Sequence, residues 1–364
     1  MNKIKAFLAR KGVVCSFRQY GVDALGAMAQ GLFCTLLVGT ILNTLGQQLH
    51  IGFLTAPVVS VGTVSYTIGG LASAMVGPGI AVAIGTALHC PPLVLFSLIP
   101  VGFAANAMGG AGGPLAVYAV TIIAAELGKL VSKETRIDIL VTPCVTVIAG
   151  IAVAQLIAAP IGTAARAVGL AIMWATELQP FFMGVLVSAL IGIALTLPIS
   201  SAAICAAFGL TGLAGGAAVA GCCAQMVGFA VMSFKENRWG GLVAQGLGTS
   251  MLQMPNILKN PRIWIPPTLA SMITGPLATC VFKLQMNGSP VSSGMGTCGF
   301  VGQIGVYTGW VSDIAAGTKA AITPMDWIGL VLICFILPAV LSTLFCRVLE
   351  KRGWIREGDM KLDL

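Results

Sequence analysis

No lysine or arginine occurs from Gln19 through Gly128, a stretch of 110 residues in which Asp23 and Glu126 are the only charged side chains. One helical crossing of a bilayer takes roughly 20 apolar residues, so a stretch this long has room for several crossings. The rest of the chain has the same character. Of its 364 residues 57% are hydrophobic and 9% charged, against about 25% charged in soluble domains. The 46 glycines follow no G-X-Y period, which excludes collagen. The short alternating strands and aromatic girdles of an outer-membrane barrel are absent. The chain reads as an all-α polytopic membrane protein rich in the small residues that let membrane helices approach closely.

Hydropathy predicts spans near 22–45, 53–76, 114–130, 137–158, 180–197, 214–234, 266–284, 299–316 and 327–348. Gly77–Cys90, Pro92–Ala105 and Ile199–Leu210 are apolar pieces too short or too broken to cross alone. They are expected as re-entrant or discontinuous helices, which are tolerated where they are buried in protein or line a cavity. The expectation is about 8–10 transmembrane helices. Basic residues cluster before the first span (Lys3, Lys5, Arg10, Lys11, Arg18) and after the last (Arg347, Lys351, Arg352, Arg356, Lys361). The positive-inside rule then puts both termini in the cytoplasm of a multi-pass cell-membrane protein. The net charge of +8 is accounted for in this way and is no sign of nucleic-acid binding. Residues 1–19 form an interfacial amphipathic N-terminus, with Ile4, Phe7, Leu8 and Val14 interleaved among the cations. They show no cleavage site after a hydrophobic core, so no signal peptide is expected. Residues 20–350 form the membrane domain and 351–364 a cytoplasmic tail.

An internal repeat is visible in ordered landmarks. Ala56-Pro57 and Gly77-Pro78 bracket one apolar segment, Gln179-Pro180 and Leu197-Pro198 another. Ala105-Asn106-Ala107-Met108 matches Cys223-Ala224-Gln225-Met226, and Lys133–Ile139 matches Lys259–Ile265, all at offsets of 118 to 126 residues. The halves are about 55–162 and 178–290. Their two basic loops belong on one side of the membrane, which makes the repeat parallel and places a substrate near the bilayer midplane between the copies.

Intramembrane polar groups are the candidates for function, because lipid offers them no partners. Glu177, the lone acid between Asp138 and Glu236, is either a carboxylate for substrate hydroxyls or an interfacial residue before the helix start at Gln179-Pro180. Ser200 and Ser201 read first as helix caps. The turn from Asn287 to Ser293 reads first as a ligand site, because the glycine run after it permits close backbone approach. Such turns suit a polyhydroxylated ligand. Asn106 and Gln225 are paired candidates for a two-sided site or, alternatively, helix glue; Asn256, Gln253 and Gln303 are weaker. Gly294–Gly299 matches GxGxxG without the strand that nucleotide binding needs. Most of the eleven cysteines lie in apolar stretches, with no C-x-x-C, and read as packing. No catalytic residue, metal site or cofactor is assigned.

The run Pro255–Pro267, the turn Leu197–Ala203 and the segment Asn287 through Gly305 resemble the second family of phosphotransferase-system IIC membrane components, which includes proteins named after the perfringolysin O regulator. The resemblance covers roughly residues 20–350. It implies a sugar permease subunit that translocates a sugar or similar polyhydroxylated solute, with phosphate supplied by separate cytosolic IIA and IIB proteins. The partners expected are that solute, those proteins, the lipid bilayer and a second copy of the chain in a homodimer. Two other readings remain open: a non-phosphorylating small-solute transporter, and a ligand-sensing membrane regulator.

Overall fold

A computed structural model describes residues 7–8, 10–13 and 16–362. Lys3, Ile4, Lys5 and Val14 of the expected interfacial N-terminus lie outside the described residues. The chain divides into two compact units, Met1–Ala164 and Ala165–Leu364.

In the first unit, α1 (Arg18–Gln47) is one of five helical stretches among the described residues that are long and apolar enough to cross a bilayer. Its threonines need no outside partner. Thr35, Thr40 and Thr44 donate to Gly31, Leu36 and Thr40 carbonyls one turn back, at 2.7–2.8 Å. The span expected over 53–76 is not a helix. Strands β1 (Val59–Val61) and β2 (Val64–Tyr66) pair antiparallel there, with Val61 opposite Val64. The cause is local: Val-Ser-Val and Val-Ser-Tyr alternate with period two, and Gly62 at φ +60° starts the two-residue turn. Helices α2 (Ile68–Ala74) and α3 (Val76–Ala87) follow, bent by 54° at Met75.

The stretch Pro92–Val131 is apolar throughout but folds back on itself. Helix α4 (Pro92–Gly109) ends where Gly110 takes φ +52°, ψ −123°, a conformation for which glycine is the default residue. Helix α5 (Gly113–Val131) then returns alongside α4. The positions Gly109 and Ala116 near the turn, and Val94 and Gly128 far from it, lie against each other, as only an antiparallel pair allows. Pro92–Ala105, expected to be too short, is therefore part of a complete 18-residue helix. Close approach also governs α3 against α4, where a Cβ at Gly102 would lie 2.5 Å from the Gly77 carbonyl. Helix α6 (Asp138–Thr176) has 39 residues, about 58 Å at 1.5 Å per residue, and runs on past residue 164 into the second unit.

The second unit alternates direction in a way that a simple up-down bundle does not. Helix α7 (Pro180–Thr196) and the largely buried core helix α9 (Gly212–Met232) are parallel: Gly192 packs on Gly221, and Thr196 bonds Gln225. The chain between them climbs back through the short helix α8 (Ser201–Ala207). Helix α10 (Phe234–Val243) and the turns leading into α11 (Met254–Lys259) close the Met232 end of α9. Helix α12 (Ile265–Pro276) runs antiparallel to α7, with Ser188 Oγ donating to the Ser271 carbonyl (2.7 Å) and Thr279 Oγ1 to that of Pro180 (2.7 Å). Next come the one-turn helix α13 (Pro290–Ser293), α14 (Val301–Ala315) and the long α15 (Pro324–Lys351).

Among the described residues, five crossing-length stretches and one bent pair stand against the eight to ten helices expected. One of those stretches, Pro92–Val131, is itself the α4–α5 pair, α7 at 17 residues is at the lower limit of a crossing, and α12 at 12 falls short of one.

The tail is docked. Glu236 accepts from the Gly358 and Met360 amides (2.9 and 3.0 Å). Asn237, Gln253 and Asn256 donate to the Met360 and Lys361 carbonyls at 2.8–3.0 Å.

Candidate functional site

Two polar turns of the second unit meet. The first starts where Pro198 stops α7. Ser200 is the N-cap of α8 and accepts from the Ala203 amide (3.2 Å). Ser201 is buried and reaches across, its Oγ donating to the Gly294 carbonyl (2.7 Å). The second turn enters beside the start of α9, where Met286 and Gly212 exchange backbone hydrogen bonds at 3.0 Å. It descends to Thr297, whose Oγ1 lies 3.5 Å from Met226 Sδ, about 20 Å along α9 from Gly212 at 1.5 Å per residue. Gly299 and Phe300 at φ +50° and +59° reverse the chain. Helix α14 then climbs back, with Gly302, Gly305 and Gly309 against Gly296, Ser292 and Asn287. Residues 287–315 are thus a hairpin.

The two turns are locked directly. Ser293, fully buried, donates to the Leu210 carbonyl (2.6 Å). A Cβ at Gly294 would lie 2.6 Å from the Ser201 carbonyl. The glycine run therefore lets protein backbones meet at this point, and the Ser201 and Ser293 hydroxyl protons are committed to carbonyls. A buried bond of this kind contributes about 1 kcal/mol net, and leaving its acceptor unpaired costs roughly 1–3 kcal/mol.

Asn287 stands at the open side of this junction. Its Oδ1 accepts from the Gly212 amide (3.1 Å), and its Nδ2 donates to Asp313 Oδ2 (2.8 Å) and Gln285 Oε1 (3.2 Å). These three side chains border a cavity of about 500 Å³ whose wall includes Trp310, Thr318 and Lys319. Lys319 pairs with Asp326 at 2.9 Å and lies over the Trp310 ring at 5.8 Å. Lys283, held at φ +46°, also faces the cavity. Two lysines and two aspartates make the lining neutral. It offers ammonium and amide donors, carboxylate and carboxamide acceptors, and an indole wall, with no nucleophile–base pair. Among the described residues no group of three His, Cys, Asp or Glu side chains is placed to hold a metal ion.

The other expected site residues lie elsewhere. Gln225 is fully buried, about 20 Å along α9 from Gly212, and does not border the cavity. Its Oε1 accepts from Trp264 Nε1 (3.0 Å) and Thr196 Oγ1 (3.3 Å), and its Nε2 donates to Thr268 Oγ1 (3.1 Å). Asn256 bonds Gln253 and the tail. Gln303 donates to Cys223 Sγ (3.2 Å) while its Oε1 is buried without a partner. Glu177 is exposed in the turn before α7. That turn is at the opposite end of α7 from Thr196, about 25 Å away at 1.5 Å per residue. Asn106 belongs to the first unit, where it packs against Gly77 and Gly113. Sequence reasoning missed Asp313, although it is the lone acid between Glu236 and Asp326, the same criterion that singled out Glu177.

A family model described as "Phosphotransferase system, EIIC" matches residues 22–362. Among curated proteins and solved structures no match to the chain is found. The matched segment takes in both locked turns, the 287–315 hairpin and the Asn287 cavity. The chain belongs to the phosphotransferase-system EIIC family, the membrane-embedded translocation subunits that carry a sugar or polyol and rely on separate IIA and IIB components for phosphate.

Proposed function

We propose that the transported solute is a neutral, sugar-like polyol and that it binds in the cavity bordered by Asn287, Asp313 and Gln285. The supporting observation is the Asn287 carboxamide, bonded at once to a backbone amide and two side-chain acceptors at the edge of a charge-balanced cavity with an indole wall. A polyol needs many donors and acceptors and no net charge. Ser201 and Ser293 hold the two turns in register beneath it and Ser200 caps α8, while Gln225 and Asn256 tie helices and tail. Glu177 and Asn106 have no part in this cavity. The experiment is phosphorylation of labelled neutral sugars and polyols by membranes carrying the chain, supplemented with phosphorylated IIB. Asn287→Ala should abolish phosphorylation of whichever solute the wild type accepts, with insertion unchanged. Undiminished turnover in that variant removes this cavity from the pathway.

Both termini are assigned to the cytoplasm. In the second unit the tail and the basic segment 235–262 share one end, opposite the Asn287 cavity. In the first unit Arg10 and Lys11 meet Glu134 of the first basic loop at 3.1 and 2.6 Å. The positive-inside rule makes both ends cytoplasmic, and the solute would enter the cavity from outside. The domains proposed are an interfacial segment 1–19, a membrane domain 20–350 and a tail 351–364. Within the membrane domain, 55–162 and 178–290 are proposed as a parallel duplication. Two features support it: the two units divide between these halves, and each basic loop leads into a helix, Asp138–Thr176 or Ile265–Pro276. The permease is proposed to work as a homodimer, and no nucleic acid is expected as a partner.

A further inference from the structure

We propose that the first unit carries a binding site for the headgroup of an anionic phospholipid, separate from the solute cavity. A cavity of about 480 Å³ is bordered by Arg10, Lys11, Lys129, Ser132, Lys133 and Glu134. Four cations face it against one carboxylate. Lys129 is already neutralised. It is buried, pairs with Glu126 at 2.8 Å, and donates to the Gly12 and Leu88 carbonyls at 3.1 and 3.2 Å. Glu134 is shared by Arg10 and Lys11, so it cancels one of those two charges. The Asp138 carboxylate accepts from the backbone amide of Lys133 (2.7 Å) and from Thr142 Oγ1 (2.6 Å). That bond holds Lys133 at φ +61°, a conformation non-glycine residues adopt only where the surroundings impose it. Among the described residues the Lys133 ammonium forms no salt bridge, its charge reaching the Asp138 carboxylate only at longer range, and Arg10 is largely exposed. The rim thus presents cationic donors in excess of the carboxylates that could satisfy them.

The level of the cavity identifies the ligand. Helix α3 ends at Ala87, α4 starts at Pro92 and α5 ends at Val131, so the cavity sits where apolar helices stop. That is the depth of lipid headgroups. Directly after Glu134 the chain exposes Ile137, Ile139 and Leu140 at 59%, 72% and 62%. A cationic pocket followed directly in the chain by exposed aliphatic side chains matches a molecule that has both a phosphate and acyl chains. A soluble phosphoester would use the first feature and leave the second without purpose. Basic pockets on the cytoplasmic side of membrane helices recognise lipid phosphates by this charge complementarity.

The test uses the full-length protein in neutral detergent, with phosphatidylglycerol, phosphatidylcholine, inorganic phosphate and glucose 6-phosphate as probes. Retained lipid is read by native mass spectrometry and thermal unfolding. Phosphatidylglycerol should remain bound and raise the unfolding temperature, and phosphatidylcholine should do neither. Lys133→Gln and Arg10→Gln should each weaken retention about fivefold, the equivalent of about 1 kcal/mol per basic residue at an anionic surface. Lys133→Arg should keep it. Ile139→Asn, which leaves every cation in place, should also weaken retention. Equal retention in the wild type and both Gln variants would overturn the proposal. So would equal stabilisation by inorganic phosphate or glucose 6-phosphate, which would make the site one for soluble phosphoesters. Solute phosphorylation measured on the same variants should persist, which separates this site from the Asn287 cavity.

Discussion

Replacing Gln225 with leucine separates two roles that an intramembrane carboxamide can have. The side chain is fully buried and makes three hydrogen bonds, to Trp264, Thr196 and Thr268. Two of those partners have alternatives. Thr268 Oγ1 already donates to the Trp264 carbonyl (2.8 Å), and Thr196 Oγ1 lies 2.8 Å from Ser250 Oγ. The group left without a partner in Gln225→Leu is the indole N–H of Trp264. A fully buried unsatisfied donor costs roughly 1–3 kcal/mol, Trp264 is half-buried, and leucine nearly conserves the packed volume, so the loss should not exceed that range. Equilibrium unfolding in mild detergent measures it. Solute affinity, from thermal shift at graded solute concentrations, should equal that of the wild type. Unchanged stability with lost solute binding would refute the assignment of Gln225 to helix joining.

Three further outcomes follow from named contacts. Gly102→Val should prevent α3 and α4 from closing, because even a single Cβ there would lie 2.5 Å from the Gly77 carbonyl; near-normal yield of folded protein would contradict this packing. The Glu134 carboxyl is held below its usual range by its hydrogen bond from Lys11, with Arg10 adding to the effect. Its contribution is therefore complete above the ordinary carboxylate pKa of 4.5 and lost as pH falls through the depressed value. Hydrogen exchange in residues 10–13 should rise only on acidification below that pKa, and exchange independent of pH there would count against the ion pair. Cysteines placed at Lys133 and Lys259 should resist an impermeant maleimide added outside intact cells and react in inside-out vesicles. Labelling from outside would reverse the orientation assigned by charge.

Much of the helical scaffold was legible in local sequence. The spans Arg18–Gln47 and Pro324–Lys351 stand out because lipid-facing helices need uninterrupted apolar runs. The Ser200-Ser201 and Asn287–Ser293 turns were visible as hydroxyls and amides embedded in such runs. The β1–β2 hairpin was hidden because a hydropathy window averages over the period-two alternation that marks strands. Whether Gln225 or Asn287 would face a solute was not legible, since it depends on tertiary neighbours. Trp264 and Thr268 happen to close around the first, and a cavity opens beside the second. Asp313 was within reach of the isolation criterion. Its significance emerges only when the hairpin over 287–315 brings it within 2.8 Å of Asn287.

Solute binding to purified Asp313→Asn and Asn287→Ala proteins, set beside the wild type and Gln225→Leu, tests the assignment of the translocation site most directly. A neutral sugar or polyol that stabilises the wild type should bind Asp313→Asn about ten- to a hundredfold more weakly, as expected when a hydrogen bond to a charged group worth about 1.5–3 kcal/mol is lost. Asn287→Ala should show the same direction of change, while Gln225→Leu keeps wild-type affinity. Wild-type affinity in both cavity variants would show that the solute is recognised elsewhere in the chain.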